Sequence, residues 1–319
     1  ISIRPKYAEA HNNKGTTLKD LGKLDQAIVA FNRALSVKPD YSDAHYNIGN
    51  TLREQGQLRE AIAAYKKALL LKPDYVDAYN NAGVALKDNG ELEMALEAYK
   101  KALSIKPNFA EAYNNMGVAL REQGEMEMAL EAYKKALSIE PDYVEAHNNM
   151  GFALQNQGKL DEALEAYNKA LLLKSDFAEA YNNMGITLKE KGEPGMALEA
   201  YSKALSLKPN FAEAHNNVGI TLQDQGNLEA AKEAYRKALI LKPYFAEAHR
   251  HLSAIKKYTI SDPHFIQVKE IYKKQDLDEV SKGNLSFALA KMHEDIGEFD
   301  SAFKYLSEGN ALRKKFINY

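Results

Sequence analysis

Residues 75–83 read Tyr-Val-Asp-Ala-Tyr-Asn-Asn-Ala-Gly, residues 109–117 read Phe-Ala-Glu-Ala-Tyr-Asn-Asn-Met-Gly, and residues 143–151 read Tyr-Val-Glu-Ala-His-Asn-Asn-Met-Gly. The phrase recurs eight times along the chain at a spacing of 34 residues. A fixed period of this size is the signature of stacked supersecondary units, none of which can bury its apolar face alone. Stacking also repeats side chains in space, so a residue type kept at one repeat position becomes a row on the assembled surface.

Counting Ala110 as position 1, glycine holds position 8 (Gly15, Gly49, Gly83, Gly117, Gly151, Gly185, Gly219) and position 15 (Gly22 through Gly226). Alanine holds position 20 (Ala27 through Ala231) and position 27 (Ala34 through Ala238), with an aromatic between them at Phe31, Tyr65, Tyr99, Tyr133, Tyr167, Tyr201 and Tyr235. Proline closes each unit at Pro39, Pro73, Pro107, Pro141, Pro209 and Pro243, with Ser175 the one internal departure. The pattern predicts two helices per unit: a first ending at the position 15 glycine, which suits a C-terminal cap, and a second ending before the proline. Small residues at the crossing let the backbones approach, and the aromatic fills the space beside them.

The spacing carried by Gly49, Ala61, Tyr65, Ala68 and Pro73 resembles the tetratricopeptide repeat. That resemblance implies an all-α fold, a right-handed α-solenoid superhelix of helix-turn-helix units, with seven full repeats over residues 8–245. The large residue often Trp at position 4 of this family is His or Tyr here: His11, His45, Tyr79, Tyr113, His147, Tyr181, His215 and His249. Residues 1–7 match the end of a repeat, so they are expected as the tail of a truncated upstream unit. That leaves the residue 8–35 unit with a face suited to end-to-end stacking of chains. Residues 246–319 read as degenerate repeats and capping helices: a first helix over 246–257, a helix from Asp262-Pro263 to about Lys274, a loop over 276–281, and helices over 286–297 and 299–313.

Composition fits a soluble, cytoplasmic helical protein. There is no Cys among 319 residues, which excludes disulfides and thiolate metal sites. Nothing resembles a signal peptide, and no apolar run approaches the roughly 18 residues of a spanning helix. Net charge is −2, with 30 basic and 33 acidic groups in residues 1–245 and 12 and 11 in residues 246–319, so nucleic acid is not an expected partner. Two neighbouring units share Met94–Ile105 and Met128–Ile139 letter for letter, which predicts similar local stability inside the array and unfolding that starts at its irregular ends.

No nucleophile stands beside a base outside the repeat pattern, so no catalytic residue, cofactor or metal is expected. The position 4 histidines read as a packing slot, and His249 and His251 point to different sides of one helix. Asp43, Asp77, Glu111, Glu145, Glu179 and Glu213 each follow Asp40, Asp74, Asn108, Asp142, Asp176 or Asn210 by three residues. That is capping-box spacing, with a cation-attracting stripe as the alternative.

The asparagines are different. Position 6 is Asn13, Asn47, Asn81, Asn115, Asn149, Asn183 and Asn217 without exception, and position 5 is Asn12, Asn80, Asn114, Asn148, Asn182 and Asn216. Asparagine is a mediocre helix former, so nothing local favours repeating it. An amide both donates and accepts, as a peptide bond does, so a row of them can hold an extended backbone without reading its side chains. The other reading is that the amides bond one another and stitch the stack. The row resembles the asparagine ladder of the O-linked N-acetylglucosamine transferase repeats, which implies an inner face that grips polypeptide.

On that resemblance first helices line the concave face. Position 9 then adds Thr16, Asn50, Val84, Val118, Phe152, Ile186 and Ile220 to the groove, turning from polar to apolar along the chain. Positions 12 and 13 carry basic or neutral and mostly acidic residues, such as Lys87 and Asp88, which also read as solvated helix ends. The expected peptide-binding set is therefore the seven position 6 asparagines with Asn80, Asn114, Asn148, Asn182, Val84, Val118, Phe152, Ile186 and Ile220. The function expected is a protein-protein interaction scaffold binding extended polypeptide. The C-terminal run Phe287–Gly297 with Phe303–Arg313 is similar to the segment that joins repeats to a sulfotransferase domain in bacterial fusions. This second resemblance implies the alternative, a substrate-recognition arm of a larger sulfotransferase or glycosyltransferase whose catalytic domain lies outside these residues.

Overall fold

The computed structural model describes residues 4–274 and 276–315, with side chains from Tyr7 onward. The described residues form eighteen α-helices and no strand, an all-α solenoid of paired helices. The first ten are α1 (Arg4–Asp20), α2 (Leu24–Val37), α3 (Ser42–Glu54), α4 (Leu58–Leu71), α5 (Val76–Asp88), α6 (Leu92–Ile105), α7 (Ala110–Glu122), α8 (Met126–Ile139), α9 (Val144–Asn156) and α10 (Leu160–Leu173). Then come α11 (Ala178–Glu190), α12 (Pro194–Leu207), α13 (Ala212–Asp224) and α14 (Leu228–Leu241). The last four are α15 (Ala246–Ile255), α16 (Pro263–Tyr272), α17 (Glu279–Asp295) and α18 (Phe299–Lys314). Contacts divide the chain into two compact units, Ile1–Leu173 and Lys174–Tyr319. The division falls inside the repeat array, beside Ser175, rather than at residue 245 where the repeat pattern decays.

Within each repeat the two helices meet at glycine. A Cβ built on Gly49 would lie 2.6 Å from the Tyr65 ring, and one on Gly117 would lie 2.6 Å from that of Tyr133. The rings are fully buried, as are Ala27 and Ala34 beside Phe31 and their counterparts in later repeats. Burying one such side chain stabilises the fold by about 1.5–3 kcal/mol, so the aromatic slot is a main source of each unit's stability. The closing glycine does something else. Gly56 has φ 76° and Gly124 φ 86°, with open space around each missing Cβ, so these positions need left-handed backbone and not room.

The capping-box expectation is corrected. Helices α3, α5, α7, α11 and α13 start one residue later than it requires, at N-caps Tyr41, Tyr75, Phe109, Phe177 and Phe211, none of which makes a side-chain cap bond. The aromatic is instead covered by the lysine before the proline: Lys72 Nζ sits 4.3 Å from the Tyr75 ring centre and Lys208 Nζ 4.6 Å from that of Phe211. The first-turn carboxylates join this clasp. Glu179 accepts from Lys208 Nζ at 2.8 Å and Glu213 from Lys242 Nζ at 2.9 Å.

Residues 1–3 of the expected upstream tail lie outside the described residues, and Arg4–Tyr7 belong to α1. At the other end α17 begins at Glu279, inside the expected loop, because the Asp278 carboxylate caps it by accepting from Ser281 N–H at 2.8 Å. Helix α16 starts as expected, with Asp262 accepting from His264 N–H. Here the core changes character: Phe265, Val268, Ile271, Leu285, Leu289 and Met292 replace the alanines of the repeats.

His249 is fully buried beside this core and ends a chain of bonds. The Pro243 carbonyl can only accept, so His249 Nε2 carries the hydrogen, at 2.9 Å. His249 Nδ1 therefore accepts from His264 Nε2–H at 2.7 Å, and His264 Nδ1 from the Tyr258 hydroxyl at 2.8 Å. With both rings neutral every donor in the chain meets an acceptor. Burial lowers both histidines, aided at His264 by the charges of His249 and Lys256, and brings His264 down to about 3. Burial likewise lowers His251, to about 4.

Two outcomes follow. Gly117→Ala, measured by urea denaturation, is expected to cost about 1–3 kcal/mol through overpacking against Tyr133, while Tyr133→Phe is neutral or stabilising because its buried hydroxyl has no partner and Phe31 fills the same slot. For pH, folded pKa values below the unfolded one near 6.5 mean that the histidine contribution is complete above that pH and is lost as pH falls towards about 4 and 3. Thermal melts should lose stability as pH falls from about 6.5 towards 4, with a slope approaching about 1.4 kcal/mol per pH unit for each histidine, which His264→Gln flattens.

Candidate functional site

The asparagine row is built from consecutive first helices. In the first unit Asn47 Nδ2 donates to Asn12 Oδ1 at 3.0 Å, Asn115 to Asn80 at 3.1 Å, and Asn149 to Asn114 at 3.0 Å. Each position 6 amide thus reaches back to position 5 of the preceding repeat. Tyr46 interrupts position 5, and Asn81 there divides its Nδ2 between Tyr46 Oη and Asn50 Oδ1, both at 2.9 Å. Asn50 in turn accepts from the Tyr65 hydroxyl at 2.7 Å. In the second unit Asn217 donates to Asn182 at 3.0 Å, and His251 takes the position 6 role against Asn216 Oδ1 at 3.1 Å. Because His251 is lowered to neutral, its Nδ1–H is the donor there. Asn148 and Asn183 are half-buried and also engaged.

The two rows therefore have different environments. Position 5 is inside at Asn80, 1% exposed, Asn114, 5%, and Asn182, 6%, so these three, expected on a ligand, offer almost no surface to one, while Asn148 is half-buried. Their carbonyls are taken by the following repeat. Asn80 also donates Nδ2 to Glu111 Oε1 at 3.0 Å, and since a carboxylate only accepts, that contact fixes which way the Asn80 amide points. Position 6 is at the surface. Asn47, Asn81, Asn115, Asn149, Asn183 and Asn217 are half-buried and Asn13 is exposed.

Val84, Val118, Phe152, Ile186 and Ile220 are half-buried on the same helices, three residues on from position 6. They lie beside the row in each unit. Thr16 turns its hydroxyl to the Asn12 carbonyl at 3.2 Å. Positions 12 and 13 are tied between repeats rather than merely solvated: Lys189 pairs with Asp224 at 2.9 Å, Lys87 lies 3.8 Å from Glu122, and the Arg121 guanidinium sits 4.9 Å from the Phe152 ring centre. These pairs are partly exposed and individually weak.

Sequence reasoning missed two contacts that set this geometry. The position 4 histidines are clips as well as fillers, since His147 Nε2 lies 2.8 Å from the Pro141 carbonyl and His215 Nε2 3.2 Å from that of Pro209. The lysine–aromatic clasp was legible only as a paired spacing of Lys38 with Tyr41 and its repeats. Among the described residues no group of His, Asp or Glu could hold a metal ion, and no helix is long and apolar enough to cross a membrane.

The family described as TPR repeat matches residues 15–52, 49–90, 85–120, 119–158 and 156–192, and that described as Tetratricopeptide repeat matches 178–211 and 212–245. The chain belongs to the tetratricopeptide repeat family, whose repeats build protein-interaction scaffolds. Comparison with curated proteins gives no match. Among solved structures, a tetratricopeptide repeat protein from Parabacteroides merdae is 21% identical, covers 77% of this chain and 98% of its own length, and superposes with a TM-score of 0.64. The Cut9–Hcn1 hetero-tetramer of the APC/C is 18% identical, with 76% and 48% coverage and a TM-score of 0.67. YrrB, a TPR protein with an unusual peptide-binding site, is 28% identical, with 58% and 95% coverage and a TM-score of 0.46.

Removing a half-exposed Asn should cost more than its own burial suggests. Asn115→Ala strands the buried Asn80 carbonyl, at a cost of about 1–3 kcal/mol, and in a double-mutant cycle Asn80→Ala should then cost less than it does alone. Additive urea midpoints would show that the two amides do not bond.

Proposed function

We propose that the chain is a scaffold that holds an extended polypeptide along its position 6 amides, with Val84, Val118, Phe152, Ile186 and Ile220 receiving apolar side chains of the same ligand. The observation that carries this reading is the state of the amides. Asn115, Asn149 and Asn217 each commit one Nδ2 hydrogen to the neighbouring repeat while the side chain stays half-exposed. The second N–H and the carbonyl are held in a fixed orientation without a rotamer search. A donor and an acceptor on one planar group match a peptide bond, so the row recognises backbone, and the apolar neighbours supply the anchors that an extended segment needs.

Stitching and binding are then two uses of one side chain. The comparisons lend no support to the enzyme-arm alternative, and none of the family matches is to a catalytic family.

The test takes fluorescein-labelled 15-residue peptides selected from an array for binding to the whole chain. Backbone N-methylation at alternate residues, and separately Asn115→Ala with Asn149→Ala, should each weaken binding by about tenfold or more at unchanged net charge. Unchanged affinity with a lowered melting temperature would leave the amides as stitching alone and sink the proposal.

A further inference from the structure

In the second unit the amide row ends on a cationic cavity. Arg250 stands at position 5, where Asn182 and Asn216 stand in the two repeats before it. Its Nη2 approaches His251 Nε2 at 3.4 Å, and His251 is itself bonded to Asn216, so the guanidinium adjoins the last rung of the row. Arg250 and Arg313 line a cavity of about 310 Å³ together with Asn284, Val280, Phe287 and Leu312. The cavity exists because α17 and α18 bring different residues together from those of a repeat. Phe287 replaces asparagine at position 5, and Gly309 replaces alanine at position 27, with a would-be Cβ 3.0 Å from the Phe287 ring.

Charge and apolar surface are combined here in an unusual way. Neither guanidinium is ion-paired with a carboxylate among the described residues, and the carboxylate that also lines the cavity, Glu279, is taken by Lys315. Two forked donors facing one small space suit a carboxylate, which each guanidinium can bind through two parallel N–H···O bonds. Val280, Phe287 and Leu312 give the rest of the ligand an apolar wall. The volume is at the lower end for ligand cavities, enough for one small group and not a folded partner.

We propose that this cavity is a binding site for an apolar carboxylate, with Arg250 and Arg313 holding the carboxylate and Phe287 and Leu312 the carbon chain. The carboxyl-terminal residue of a polypeptide and a short fatty acid share that chemistry. The peptide source rests on the reading of the amide row given above, because a chain lying along Asn183, Asn217 and His251 would reach Arg250 next. The site itself does not depend on that reading.

The experiment is a methyl-NMR titration of the whole chain with N-acetyl-leucyl-leucine, its carboxamide and octanoate, read at Val280 and Leu312. The dipeptide is too short to engage the row, so it tests the cavity alone. The acid should bind about tenfold or more tightly than the carboxamide, and Arg250→Gln or Arg313→Gln should each remove most of that difference while Arg250→Lys restores part of it. Tighter binding of the dipeptide than of octanoate identifies a peptide terminus, and the reverse identifies a fatty acid; both uphold the site. A carboxamide that binds as well as the acid, or the absence of shifts at millimolar acid in a chain with an unchanged melting temperature, overturns it. Either result leaves the Asn115 and Asn149 test of the amide row standing on its own.

Discussion

The contact between the position 8 glycine and the position 24 aromatic is the constraint on which everything else rests. Across seven repeats the distance from the would-be Cβ to the ring is 2.4–2.7 Å, shorter than any real Cβ contact tolerates, so the aromatic lies against bare backbone. That sets the approach of the two helices in each unit, and with it the direction in which positions 5, 6 and 9 of the first helix leave the pair. The C-terminal unit keeps the device with its parts exchanged, Gly309 on the second helix receiving Phe287 from the first, at a looser 3.0 Å. A ring against a missing Cβ is what persists where the repeat signature has gone.

Joining one repeat to the next takes three polar clasps, each built on groups that a helix end leaves over. The position 4 histidine takes the proline carbonyl, which no helical N–H can reach. The lysine before the proline covers the aromatic at the following N-cap, replacing a side-chain cap with a cation over a ring. The asparagine pair joins neighbouring first helices through a carbonyl that has no water to turn to. None is strong alone, at about 1 kcal/mol net for a neutral hydrogen bond, but members of the set recur at successive junctions, and the Lys208, His215 and Asn217 junction has all three.

Fold and site differed in how much of each could be read from residues. Gly49, Tyr65 and Ala68 have one physical use apiece, so the period and the helix pair were legible at once. The position 15 glycines were equally plain, because positive φ is the one backbone state their neighbours avoid. Asp40 was misread because aspartate three residues before a carboxylate is a capping box in most proteins, whereas here the chain turns once more before α3 and an aromatic takes the N-cap. The start of α17 was missed for the opposite reason, since Asp278 does cap, without a hydrophobic run to announce it. Asparagine at positions 5 and 6 could not be separated in the sequence: the two are adjacent, of one type and equally repeated. Only packing distinguishes them, by burying Asn80 to 1% and leaving Asn115 half-exposed.

That separation explains why a residue poor at forming helices is kept in the middle of one. If stitching were the only demand, a position 6 side chain with one donor would serve, and His251 shows that an imidazole can take that place against Asn216. Asparagine brings more than the stitch consumes: a second N–H and a carbonyl, in the plane fixed by the first bond. Asn47, Asn115, Asn149 and Asn217 keep that surplus half-exposed while position 9 drifts from Thr16 to Ile220 along the chain and position 5 admits Tyr46. A structural amide would tolerate the drift that its neighbours show. On the function proposed above, an amide that must also present donor and acceptor to an outside backbone would not, and at Arg250, where the row stops, a guanidinium stands where the repeats before it carry asparagine.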